Sequence, residues 1–124
     1  MGNKDYTNRW TEAEFIFRKN GWRIDDFFWS HAINVDDQKL AFVHIDTSFL
    51  AYGVNGEPGN PFMKSCFQKY SWAKNKILDI IEKLLQDNKE ATYKIAIGHH
   101  PIGHMCGNKG NLYLIEPLLW KYGF

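Results

Sequence analysis

A chain of 124 residues, 44 % hydrophobic and 16 % aromatic, is long enough for one ordinary domain with a buried core. Its formal charge of +1 has no basic run or stripe behind it, which argues against nucleic acid or a polybasic membrane surface as the primary partner. No stretch approaches the roughly 18 consecutive apolar residues of a membrane-spanning helix, and Met1 to Tyr6 lack the apolar centre of a secretory signal.

After a polar, aromatic opening, Phe27 to Val35 and Lys39 to Thr47 read as two strands joined through Asp36-Asp37-Gln38, a hairpin. The second contains the nearly continuous apolar run Leu40 to Ile45, as expected of a strand covered on both faces. His44 interrupts it and reads as a satisfied core residue, with His31 as a surface one. Ala51 to Pro61 is rich in Gly, Asn and Pro and reads as a surface loop. From Ser71 to Asp87 the apolar residues Trp72, Ile77, Ile80, Ile81, Leu84 and Leu85 recur at three- and four-residue steps, which predicts one amphipathic helix. Tyr93 to Ile97 follows as a strand. Asn111 to Tyr122 reads as a helix in which Pro117 forces a kink or moves the start to near Glu116. The succession predicts an α/β fold, a mixed β-sheet with flanking helices, in a single unit.

The strand Tyr93 to Ile97 empties into Gly98-His99-His100-Pro101. Pro101 restricts His100 and forces an immediate turn, so the imidazoles stand at the carboxyl edge of the sheet, the usual ligand crevice of an open α/β sheet. His99, His100 and His104 in one loop suit metal ligation or contact with an oxyanion. Asn3 and His99 are neutral O and N donors suited to Zn, Fe or Mn. Asp46-Thr47 at the end of the second strand reads first as a cap and second as a pair reaching into the crevice. The paired carboxylates Asp25-Asp26 and Asp36-Asp37 read as solvated turn residues. Gly53 to Gly59 lacks the GxxxxGK[ST] pattern of a phosphate loop. Cys66 and Cys106 lack CxxC spacing, which leaves a single bridge between them undecided.

These segments together resemble the metallophosphoesterases (calcineurin-like), and within them the purple, or tartrate-resistant, acid phosphatases. Gly2-Asn3-Lys4-Asp5-Tyr6 is similar to that family's Gly-Asn-His-Asp-Tyr block. Phe42 to Leu50 resembles its apolar strand ending in Leu-Asp-Thr, and Ser71-Trp72 its Trp-bearing helix. Tyr93 to Pro101 resembles the strand leading to Gly-His-x-Pro, and Leu118 to Phe124 its Pro-Leu-Leu-x-x-Tyr segment. The resemblance implies a partial domain, residues 1–124, of a metallophosphoesterase β-sandwich that lacks its N- and C-terminal portions.

By that resemblance the parent protein hydrolyses phosphate monoesters through a dinuclear metal centre, Fe with Fe, Zn or Mn. Such a pair lowers the pKa of a bound water and neutralises the phosphoryl oxygens. Asn3 and His99 would be metal ligands. Lys4 stands where the family has a histidine near the leaving group, and an ammonium is a poor proton shuttle at acidic or neutral pH. A second family histidine has Lys109 as its counterpart, or His104 if the alignment is offset by one. The family's other ligands fall outside this sequence, so the isolated chain is expected to hold metal weakly and to be inactive. The alternative implied by Lys4 is a catalytically degenerate phosphatase-like scaffold or membrane anchor with a protein partner. Relatives of this kind are secreted, lysosomal or vacuolar, or membrane-associated.

Overall fold

The computed structural model describes residues 26–69, 71, 75–102 and 111–124. Two strands, β1 (Phe28–Val35) and β2 (Gln38–Ile45), form the expected hairpin, paired antiparallel from Phe28 opposite Ile45 to Val35 opposite Gln38. The turn is two residues, because Asp36 takes a positive φ of 53°, a conformation that short polar side chains tolerate. Gln38 is therefore already in β2. The third strand, β3 (Tyr93–Ile97), lies along the other side of β2 in parallel, from Leu40 beside Tyr93 to His44 beside Ile97.

Four helices occur among the described residues: α1 (Thr47–Tyr52), α2 (Pro61–Lys69), α3 (Ile77–Asp87) and α4 (Ile115–Tyr122). The reading of Ala51 to Pro61 as a surface loop holds for residues 53–60, and the first two helices take in its ends, Ala51-Tyr52 and Pro61. Its Gly and Asn residues punctuate a helix end, a single 3-10 turn over Gly53–Asn55 and a helix start. Asn60 Oδ1 accepts the Met63 N–H at 3.0 Å, and Pro61 opens the helix where no backbone donor is needed. Replacing Asn60 with alanine removes that acceptor and is expected to lower stability by about 1 kcal/mol, read as a shift in the urea midpoint at unchanged slope.

Helix α3 matches the C-terminal part of the predicted helix, with Ile77, Ile81 and Leu85 buried along one stripe; residues 72–74 lie outside the description. Asn88 closes it, its amide donating to Leu84 O at 2.8 Å and to Ser30 Oγ on β1 at 3.1 Å. Helix α4 starts at Ile115 after a 3-10 turn over Leu112–Leu114. Pro117 falls in its first turn, where the missing N–H costs no bond, so no kink is required. At the other end Gly123 takes left-handed φ 73°, while the N–H groups of Gly123 and Phe124 return to Trp120 O and Leu119 O, a Schellman closure. Glu82 on α3 accepts bonds from Lys121 Nζ at 2.6 Å and Tyr122 OH at 2.9 Å on α4. These bonds hold the Glu82 carboxyl below its ordinary range and the Lys121 ammonium above its own.

The core lies between one face of the sheet and the helices. Val43 and Ile45 of β2 meet Phe49 of α1, Met63 and Phe67 of α2, Ile81 and Leu85 of α3 and Ile115 of α4. Among the described residues the helices cover this one face. On the opposite face Trp29, His44, His31 and Phe42 form a ladder of stacked rings, with centroids 3.8 Å apart for Trp29–His44 and 4.9 Å for His31–Phe42. His44 and His31 are both half-buried there, the first outside the helix-covered core and the second less exposed than a surface residue.

Candidate functional site

Because β2 and β3 run parallel, their carboxyl ends lie side by side, and the segments that leave them meet. Asp46 follows β2. Its Oδ1 accepts the N–H groups of Ser48 at 2.9 Å and Phe49 at 3.3 Å, and its own N–H donates to Phe27 O at 2.9 Å. The side chain is buried, and its Oδ1 caps the start of α1, the capping role expected of it.

Thr47 does the second job foreseen for the pair and reaches the crevice. Its Oγ1 accepts the backbone N–H of His99 at 3.1 Å and of His100 at 2.9 Å, and lies 3.0 Å from Nδ1 of His100. Two N–H donors occupy both lone pairs of a hydroxyl oxygen, so its own proton is directed to Nδ1. That assignment makes Nδ1 an acceptor and puts the neutral ring's hydrogen on Nε2. The ring is further held edge-on against Tyr52, centroids 5.7 Å apart, and against His99 at 4.9 Å.

Gly98 allows this approach. A Cβ at that position would lie 2.7 Å from Cγ2 of Thr47, closer than real carbon contacts come, and Thr47 is a stiff, buried, β-branched neighbour. The Gly-His-His-Pro turn is therefore pinned to the end of β2 through one hydroxyl, with His99 exposed at its rim.

Of the residues singled out in the sequence, His99 stands where the strand end was expected to place it. Asn3, Lys4, His104, Lys109 and Cys106 lie outside the described residues. Thr47 and His100 are the pair that the structure brings together. The sequence offered as their signal a hydroxyl immediately after one parallel strand and an imidazole just after its neighbour. Among the described residues no group of three or more His, Cys, Asp or Glu side chains could hold a metal ion. His100 directs Nδ1 at Thr47, and Oδ1 of Asp46 accepts the N–H groups of Ser48 and Phe49.

No protein-family model matches the chain, and no curated protein matches it. Among solved structures it is similar to GAP50, the anchor in the inner membrane complex of Plasmodium, with 23 % sequence identity over 82 % of this chain and a TM-score of 0.51. The chain spans 30 % of the length of that structure. A likeness at this identity shows the fold, an α/β unit with a mixed three-stranded sheet. The comparisons overturn the assignment to metallophosphoesterases of the purple acid phosphatase kind: no family model supports it, and the solved structure named above is described as an anchor. The expectations of a hydrolase and of a metal-binding chain fall with it. Gly-His-x-Pro and an Asp-Thr strand end are each ordinary turn and capping chemistry. Their order along the chain carried the assignment, and order alone does not specify a reaction.

Proposed function

We propose that the chain is part of an anchoring scaffold, one that acts by holding a protein partner at a membrane-bound assembly and not by turning over a substrate. The observation that carries this reading is the backbone likeness to GAP50, over most of this chain. The local chemistry supports it. The strand-end crevice, where an α/β enzyme keeps its reacting groups, is occupied here by hydrogen bonds that fix the backbone: Asp46 to the start of α1, Thr47 to the His99-His100 turn. Among the described residues no helix is long and apolar enough to cross a membrane.

We also read the sheet as one layer of a β-sandwich. The nearly continuous apolar run Leu40 to Ile45 puts apolar side chains on both faces of β2, the pattern of a strand covered on both, and the described helices cover one.

The anchoring reading is tested by fractionating the cells that make the protein. Epitope-tagged protein should sediment with membranes in a stoichiometric complex, and the purified protein should leave p-nitrophenyl phosphate intact. Recovery in the soluble fraction with no companion protein would overturn it. So would robust hydrolysis of that ester that is abolished by His99→Ala.

A further inference from the structure

We draw no further inference here: the strongest candidate, the surface patch on α4 and the turn before it where Trp120 and Tyr113 stand exposed, belongs to a chain that spans 30 % of the structure it is similar to, and nothing in the structure shows what covers it.

Discussion

Alanine in place of Phe67 is expected to lower the unfolding free energy by about 3–5 kcal/mol, the range for deleting a buried phenyl ring. Small domains are stable by only about 5–15 kcal/mol, so the variant should be largely unfolded in mild denaturant where the parent chain is folded. Phe67 is fully buried on α2. Its ring meets Phe27 edge-on, centroids 6.3 Å apart, and Phe49 of α1 at 4.7 Å. One side chain thus joins the entry to β1, the short helix that leaves β2, and the helix after it. Met63, one turn earlier on α2, is equally buried and cannot refill the space without leaving its own. Because α1 is only six residues long, its place depends on this packing more than on its own hydrogen bonds. The expected signature is a large drop in the urea midpoint together with faster amide exchange in α1. A loss below about 1 kcal/mol would mean that the three aromatic rings do not form the joint described, or that the site collapses around the cavity.

The same region marks where the sequence was hard to read. The hairpin was legible because Asp36-Asp37 separates two β-rich runs, and β3 because a short β-branched run is cut off by Gly98 and Pro101. Helix α3 was legible from Ile77, Ile81 and Leu85 at four-residue steps. Helices α1 and α2 were hidden by the Gly, Asn and Pro between them. Those residues marked the non-helical stretch 53–60, while the side chains that start the two helices, Asp46 and Asn60, stand at or beyond its margins, where loop composition says little about helices. The run Leu40 to Ile45 marked the strand, with Ala41, Val43 and Ile45 buried against the helices and Leu40, Phe42 and His44 half-buried on the other face. At the candidate site, the place of His99 followed from local chemistry. Its tether did not, because the hydroxyl that binds its backbone is 52 residues away in the chain and becomes a neighbour only when β3 pairs with β2 in parallel. The phosphatase resemblance failed for a related reason. It matched short segments whose residue types serve caps and turns as readily as metal ions.

Substituting Gly98 with alanine should cost about 1–3 kcal/mol, the usual penalty for forcing a methyl group into a filled space. That penalty should nearly vanish when Thr47 is serine. The added Cβ would sit 2.7 Å from Cγ2 of Thr47 but 3.6 Å from Ile45 O and 3.8 Å from Thr47 Oγ1; the collision is with the methyl group alone, and the other two contacts are ordinary. Serine removes the methyl and keeps the hydroxyl that accepts both N–H groups of the turn. Thr47→Ser by itself should therefore lose only about 0.8 kcal/mol for one buried methyl carbon, and the double variant should resemble it. A double-mutant cycle on urea denaturation should give a favourable coupling of roughly 1–2 kcal/mol. Amide exchange separates this from a general loosening. In Gly98→Ala the N–H groups of His99 and His100 should exchange faster than those of β1, and in the double variant their protection should return. Additive losses would show that the glycine is required for some other reason. Restored stability without restored protection would mean that the Thr47 hydroxyl does not hold the turn, and the strand-end crevice would then be free to act as something other than a structural joint.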